Sequence, residues 1–280
     1  MTCKPIHHRP SHVLSVLLMA VISWWPSLRT CGQDTDTPDR LVTNTKMIGL
    51  GSINMLDTYL SPEKYKGADI RYISHTIREV PGDKWSQEIM HQGIIGEGSD
   101  RADDGTLMTG LYSLTYVLQR SWQLSADRLG ITLGGMADFS IGGTFSARNQ
   151  NNPAQLRLSM QLGPSASATY RFKLWKKPFS ARYECSVPLV GLMFSPNYGQ
   201  SYYEIFSRGN YEHNAVVTTP FSAPSMRNML TLDTRIWGTT LRIGYLCDIQ
   251  QAKMNGLKQH FYTHALLIGF VRHFKTKTIK

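Results

Sequence analysis

A chain of 280 residues is long enough for one large all-β domain or two ordinary domains, and its 41% hydrophobic and 10% aromatic residues exclude a disordered chain. Charged residues make up 18% of the chain, fewer than the roughly 25% of a typical soluble domain. The formal net charge is +10, but the lysines and arginines are spread along the whole chain, and we therefore expect no nucleic-acid partner.

The N-terminus has the features of a secretory signal peptide. A basic start precedes an apolar run from Val13 to Trp25, which is shorter than a membrane-spanning helix. We predict a cleaved signal peptide over residues 1–32 and a periplasmic lead over residues 33–45. The alternatives are a retained N-terminal anchor and a lipoprotein modified at Cys31, although the residues before Cys31 lack the small pair of a lipoprotein signal.

Residues 46–274 show the period-2 alternation of apolar and polar residues that is typical of β-strands. The clearest example is Leu156–Phe172, where every second residue is apolar while Arg157 and Arg171 lie on the polar face. Ten strands are predicted in all, over residues 46–60, 68–80, 85–96, 106–120, 128–143, 156–172, 179–192, 225–237, 239–250 and 259–274.

The predicted connectors alternate between short turns and longer polar loops. Short turns are predicted at Pro81, Gln123, Lys173 and Gly238. Longer loops are predicted at Glu97, Ser146, Met193 and Gln251, and the exception on that side is a short turn over residues 61–67. An even strand number with such alternation predicts an all-β fold, a transmembrane antiparallel up-and-down β-barrel of about ten strands in the outer membrane of a Gram-negative bacterium, with a basic tail over residues 275–280. The longest connector, residues 193–224, contains a segment that can form a short helix.

The apolar face of these strands is predicted to face lipid and the polar face a narrow lumen. A basic side chain that faced lipid at the bilayer midplane would cost about 2–4 kcal/mol, whereas charges of both signs in a lumen can pair. The predicted lumen network comprises Arg71, Glu88, Asp138, Arg157, Arg171, Arg182, Glu184, Asp233, Arg235, Arg242 and Asp248. The alternative is a secreted soluble barrel whose apolar face points inward.

The last predicted strand carries apolar and aromatic residues in a single register. It resembles the C-terminal signature that outer-membrane barrels present to the barrel-assembly machinery, and it comprises Tyr262, Leu266, Ile268, Phe270 and Phe274. This sequence departs from the signature because residues 275–280 follow the final aromatic residue. The expected partners are therefore outer-membrane lipid and the barrel-assembly machinery.

Two segments resemble an uncharacterised (DUF-type) family of Gram-negative outer-membrane barrels over roughly residues 45–274. The first is the LDTYLSP…YxG motif, formed by Leu56, Asp57, Thr58, Tyr59, Leu60, Ser61, Pro62, Tyr65 and Gly67. The second is Asn197–Phe206, NYGQSYYEIF. The resemblance implies an outer-membrane location and a barrel fold, and it implies no activity.

The predicted external loops hold the residues that a hydrolase would need. The candidates are Asp100, Asp103, Asp104, Glu204, Glu212 and His213. A protease would need a carboxylate pair and a His–Asp pair to activate water, and Ser201 with His213 would suit a lipid-A esterase. The alternative is a solvated acidic loop. His91, His264 and His273 are expected at the rim or in the lumen rather than as metal ligands, and neither a metal nor a cofactor is expected.

We therefore predict a non-enzymatic barrel with a narrow charged lumen, serving transport, envelope integrity or surface interaction. The alternative is an outer-membrane hydrolase that acts on lipid A or peptide, with its site in the external loops. Cys185 and Cys247 lie on apolar faces of strands that are not neighbours, and a disulfide between them is excluded because strands two places apart are about 10 Å apart.

Overall fold

The computed structural model describes residues 40–124, 128–148, 152–236 and 238–276. The predicted signal peptide, the start of the predicted lead and the last residues of the predicted tail lie outside the described residues. The strands are β1 (Arg40–Asp57), β2 (Ser61–Glu79), β3 (Trp85–Ser99), β4 (Thr106–Leu124), β5 (Leu129–Ser146), β6 (Ala154–Leu174), β7 (Lys177–Ser186), β8 (Val190–Phe194), β9 (Ala215–Thr218), β10 (Met226–Ile236), β11 (Thr239–Met254) and β12 (Leu257–Thr276), and helix α1 is Tyr202–Phe206.

The strands form one closed antiparallel barrel. Strands β1 to β7 pair in chain order, β10 to β12 do the same, β7 pairs with β10, and β12 pairs with β1. Strand β8 continues the line of β7 along β6, while β9 pairs with β8. Since β7 with β8 and β9 with β10 each occupy one position in the wall, the barrel has ten strand positions. The prediction of an all-β, antiparallel, roughly ten-stranded barrel is confirmed.

The barrel has two unlike rims. We call the rim where β1 begins and β12 ends the terminal rim, and it also holds the connectors at residues 80–84 and 175–176. The opposite rim, the loop rim, holds residues 58–60, 100–105 and the long segment 195–214, which contains α1 as the short helix expected there. The described residues include no helix that is long and apolar enough to cross a membrane.

The predicted turn over residues 61–67 is wrong, because β2 begins at Ser61 and the turn is Thr58–Leu60. The alternation persists there, with Tyr65 buried and its neighbours Lys64 and Lys66 exposed. Outward-facing charges gave this strand end the composition of a loop.

The predicted loop at residues 251–258 is wrong for the same reason. Strand β11 continues to Met254, and a two-residue turn, Asn255–Gly256, joins it to β12. Both turn residues have positive φ, 51° and 77°, which is the backbone that such a tight hairpin requires. The barrel also extends beyond its predicted limits, because residues 40–45 of the predicted lead belong to β1 and residues 275–276 of the predicted tail belong to β12.

Apolar side chains cover the outside of the barrel, and charged side chains fill its inside. Ile48, Leu50 and Leu266 are 62%, 69% and 69% exposed, whereas Arg71 and Asp69 are 1% and 2% exposed. This arrangement is the reverse of a soluble barrel, in which apolar residues fill the interior. Some apolar residues also pack inside, in clusters around Met47 and Phe261 between the charged layers and near the loop rim.

Candidate functional site in the barrel lumen

The centre of the lumen holds an arginine between two carboxylates. Arg227 lies opposite Asp248 in the register of β10 and β11, and its Nε donates to Asp248 Oδ2 at 3.3 Å. Its Nη1 reaches across the barrel to Asp138 Oδ2 at 3.6 Å and donates to Thr115 Oγ1 at 3.0 Å. Asp138 also accepts hydrogen bonds from Thr115, at 2.6 Å, and Ser140, at 2.9 Å. The cluster therefore ties β4, β5, β10 and β11 together.

A second cluster lies nearer the terminal rim. Arg182 Nη2 donates to Glu88 Oε2 across the lumen at 3.0 Å, and Arg182 Nε donates to Glu184, its inward neighbour on β7. Glu88 also accepts from Gln119 Nε2 at 3.3 Å, and its Oε1 lies 2.7 Å from His75 Nε2 without the alignment of a hydrogen bond. Side chains from β2, β4 and β7 thus meet at one carboxylate of β3.

The second cluster is also where the described residues come closest to a metal site. The ligand atoms of His75, Glu88 and Glu184 lie within 4.8 Å of one another. However, Arg182 donates to both carboxylates. Because Arg182 already provides these carboxylates with a cation, a metal ion at this point would have to displace its guanidinium group.

Two further ion pairs line the wall. Arg242 forms a bidentate pair with Asp233, its partner in the register of β10 and β11, at 2.6 and 2.7 Å. Arg71 donates to Asp69, two residues away on the inward face of β2. Bidentate arginine–carboxylate pairs combine charge with fixed geometry, which favours a stiff wall.

The remaining predicted network residues lie towards the two ends of the lumen. Arg157 places its guanidinium 4.7 Å from the ring centre of Phe261, near the loop rim. Arg171 and Arg235 line a cavity of about 860 Å³ at the terminal rim. The structure therefore distributes the predicted network over the two clusters, the two separate pairs and the two ends of the lumen.

Sequence reasoning missed four charged or titratable members of this interior. Arg227, His75 and Asp69 lie in the same inward register as the residues that the alternation identified. The period-2 pattern alone could therefore have placed all three in the lumen. Asp57 was singled out only as part of a motif. Asp57 is 7% exposed at the end of β1, beyond the apolar band, and burial raises the pKa of its carboxyl group to about 6 against the opposing effect of the Arg157 charge.

The motif residues form the turn between β1 and β2 at the loop rim. Asp57 Oδ1 accepts from the Tyr59 backbone N–H at 3.1 Å, and Thr58 Oγ1 accepts from the Lys258 N–H at 2.8 Å, which links this turn to the β11–β12 turn. A Cβ atom at Gly67 would collide with the Glu97 carbonyl on β3. Leu56, Leu60, Ser61, Pro62 and Tyr65 complete the motif within the ends of the two strands and the turn.

Segment 195–214 covers the loop-rim end of the lumen. The Tyr202 hydroxyl donates to Gln155 Oε1 at 3.0 Å and accepts from the Leu156 N–H at 2.6 Å. The Tyr59 hydroxyl donates to the Gln200 carbonyl at 3.1 Å, and the Tyr59 and Tyr202 rings pack edge to face at 5.6 Å. The segment is thus fastened to two sides of the barrel.

The candidate hydrolase residues either form local hydrogen bonds with the backbone or lie exposed, and the described contacts do not bring a nucleophile together with a base. Ser201 and Glu204 form the capping box of α1, with hydrogen bonds of 3.3 and 2.8 Å. Asp100 accepts from the backbone of Ala102 and Asp104 in its own loop. No contact joins Ser201 to His213 within the described ranges. Asp103, Glu212 and His213 are exposed on loop-rim segments.

The strand histidines differ from expectation in two of three cases. His91 and His264 face outward, each with Nδ1 2.7 Å from a tyrosine hydroxyl, of Tyr112 and Tyr245 respectively, so their predicted position at the rim or in the lumen is wrong. Both occupy the outward register of their strands. His273 lines the terminal-rim cavity. Cys185 and Cys247 are free and lie on β7 and β11, with β10 between them.

Several solved structures share features of this fold. The outer-membrane protease OmpT from Escherichia coli is 5% identical, with 87% of this chain and 99% of that chain covered and a TM-score of 0.45. The transport unit of the autotransporter AIDA-I from Escherichia coli is 7% identical, with 91% and 96% covered and a TM-score of 0.41. The translocator domain of NalP from Neisseria meningitidis is 9% identical, with 92% and 94% covered and a TM-score of 0.33. Similarity at this level carries no argument about activity.

No curated protein matches the chain in sequence. The family described as "Protein of unknown function (DUF3316)" matches residues 13–280. This match confirms the predicted membership of an uncharacterised family, while the LDTYLSP…YxG motif as its signature stays a prediction. The chain belongs to the DUF3316 family.

Proposed function

We propose that this protein is a non-enzymatic outer-membrane barrel whose lumen is closed, and that it serves envelope integrity or surface interaction rather than diffusion of solutes. The observation that carries the proposal is the distribution of side chains, with paired charges inside and apolar residues outside. In a bilayer, a closed barrel satisfies every backbone hydrogen bond, which an open sheet does not.

The exterior supports contact with lipid. Exposed aliphatic residues recur on neighbouring strands, as expected for an apolar band about 25 Å tall. They include Ile48, Leu50, Ile70, Ile95, Leu133, Met160, Leu162, Leu230, Ile243, Leu266 and Ile268. A soluble monomer rarely exposes a contiguous apolar surface of more than a few hundred Å².

The two rims support an orientation. Exposed aromatic residues gather near the terminal rim, where Trp and Tyr favour the membrane–water interface. They include Trp85, Trp122, Tyr170 and Phe274, together with the stacked rings of Phe172 and Phe179. Since outer-membrane barrels have short periplasmic turns and longer external loops, we assign the terminal rim to the periplasm and segment 195–214 to the cell surface.

The interior supports a closed lumen. The Arg227 and Arg182 clusters cross it at two levels, and segment 195–214 covers its outer end. The cavity between the Arg227 cluster and the loop rim measures only about 40 Å³, room for little more than water. A barrel of this strand number is only slightly wider than one filled by its own side chains.

Conductance across planar lipid bilayers tests the closed lumen. Purified, folded protein should add no stable current steps, whereas a general porin inserted under the same conditions should give them. Steady ohmic conductance from the folded protein would show an open pore and would overturn the proposal.

The hydrolase alternative needs a different test, because the described contacts do not assemble a nucleophile with a base. Purified protein is incubated with lipid A and with a peptide library, alongside His213→Ala. We expect no turnover by either protein. Turnover that His213→Ala abolishes would establish the hydrolase instead.

A further inference from the structure

We propose that the terminal-rim cavity is a binding site for an anion that carries phosphate. The cavity measures about 860 Å³ and is walled by the ends of β1, β2, β6, β7, β10, β11 and β12. This volume lies within the roughly 300–1,000 Å³ of small-molecule sites. Its walls are strand ends held by the barrel's hydrogen bonds, which suits a site of fixed geometry.

The deepest cations of this cavity are already neutralised. Arg242 is paired with Asp233 through two hydrogen bonds. Arg182 is paired with Glu88 and Glu184. Because Arg182 has two carboxylate partners and Arg242 has one, these groups add no net positive charge. The positive charge that an incoming ligand meets therefore comes from the residues nearer the mouth.

The mouth of the cavity carries an excess of positive charge. Arg128, Lys173 and Arg235 line it, and none of the three has a carboxylate within ion-pair distance among the residues that the structure describes. Arg171 also lines the cavity. Glu79 is the described lining acid that remains after Asp233 has been assigned to Arg242. Among the described lining residues, the three cations Arg128, Lys173 and Arg235 therefore exceed the one remaining acid.

A concave positive surface of this kind favours an anion that carries phosphate over a neutral ligand. Low-dielectric walls concentrate the field of the cations within the cavity and raise the local concentration of anions. Guanidinium groups match the oxygens of phosphate with paired hydrogen bonds, and lysine adds a mobile charge. The two mouth arginines come from separate parts of the wall, Arg128 just before β5 and Arg235 on β10, and can donate to different oxygens of one phosphate-bearing ligand.

The phosphate can belong to a soluble anion or to a lipid headgroup. The cavity lining includes Tyr170, Phe172 and Phe179, which are also part of the aromatic residues at this rim, so a headgroup would be within reach. The lipid source rests on the proposed membrane location. Binding of a soluble anion does not depend on the membrane location. The anion site can therefore fail while the proposed membrane location stands, and the reverse.

The first experiment uses calorimetric titration of folded full-length protein in neutral detergent with inorganic pyrophosphate. We expect saturable binding that weakens as salt is raised, because the contacts are charged. The double variant Arg128→Gln/Arg235→Gln should bind at least tenfold more weakly. Arg208→Gln is the matched control, because Arg208 is an arginine on the opposite rim, stacked on Tyr203. Unchanged heat-modifiability on a gel verifies that the variants are folded.

The second experiment uses nanodiscs of phosphatidylcholine with a minor fraction of phosphatidylglycerol, followed by native mass spectrometry. Phosphatidylglycerol retained by the wild type and by Arg208→Gln, but lost from the double variant, would identify a lipid headgroup as the source. Pyrophosphate binding without lipid retention would identify a soluble anion. The proposal is overturned if the wild type retains neither ligand, or if the double variant binds as tightly as the wild type.

Discussion

Replacing Arg227 tests whether the central ion pairs hold the barrel together. Arg227→Met keeps most of the length of the side chain and removes the guanidinium, which leaves Asp248 and Asp138 without their cation. These side chains are only 3% and 8% exposed. Breaking a buried pair by removing one partner costs about 3–5 kcal/mol, because a buried charge remains uncompensated. We expect a loss of this size in the free energy of unfolding.

The two carboxylates should not suffer equally. Asp138 retains hydroxyl donors at 2.6 and 2.9 Å, whereas the hydrogen-bond donor that Asp248 retains among the described residues is the Gln250 amide, at 3.3 and 3.4 Å. Asp248→Asn should therefore recover more stability than Asp138→Asn when either is combined with Arg227→Met.

Guanidinium unfolding of protein in phospholipid vesicles, followed by tryptophan fluorescence, measures each free energy of unfolding. Arg208→Met, at an exposed arginine on the loop rim, is the matched control and should change stability by less than about 0.5 kcal/mol. A loss below about 1 kcal/mol for Arg227→Met, or greater recovery with Asp138→Asn, would refute the reasoning.

Three further changes test other parts of the molecule. Because burial raises the pKa of Asp57 from 3.8 to about 6, the folded state binds its proton more tightly than the unfolded state, and Asp57 costs stability as the pH rises through this range. Asp57→Asn should thus raise the free energy of unfolding at pH 7.5 by up to about 3 kcal/mol, with no gain below pH ~4; a gain that is equal at both pH values would contradict this. Gly67→Ala should cost about 1–3 kcal/mol because its Cβ would meet the Glu97 carbonyl, while Gly110→Ala, which has open space, should change little in the same unfolding assay. Phe274→Ala should lower the heat-modifiable fraction in outer membranes if the last strand is read by the barrel-assembly machinery, and unchanged assembly would argue against that role.

The alternation of the sequence predicted the ten strand positions of the wall and the direction of their faces, but it did not predict the break between β7 and β8 or the short strand β9 within residues 193–224. Period 2 assigns each residue to one of two faces, and charges of both signs on one face are compatible with a lumen and costly in lipid. Strand ends were harder to predict, because both faces become polar where the wall rises beyond the apolar band. At Ser61–Gly67, outward-facing Lys64 and Lys66 hid the inward register of Tyr65.

Pairing in the lumen was only partly predictable for a geometric reason. Partners on one strand, such as Arg71 with Asp69 and Arg182 with Glu184, lie two residues apart and share a face, so spacing alone brings them together. The contact between Arg182 and Glu88 depends on the register of every strand and on the closure of the barrel. The sequence provides the residue types for such contacts but not which strands face each other across the lumen.

The proposed function depends on the location of the barrel in the membrane. The accessibility of the two strand cysteines to a water-soluble reagent tests that location directly. Cys185 and Cys247 lie on the outward register of β7 and β11, beside exposed Tyr183 and Tyr245. Isolated outer membranes are treated with a membrane-impermeant maleimide, with a cysteine introduced by Ser207→Cys on the exposed loop-rim segment as the control, and labelling is mapped by peptide mass. If β7 and β11 cross the membrane, the reagent labels position 207, while Cys185 and Cys247 stay protected until the protein is unfolded. Rapid labelling of both native cysteines in the folded, membrane-associated protein would contradict that location.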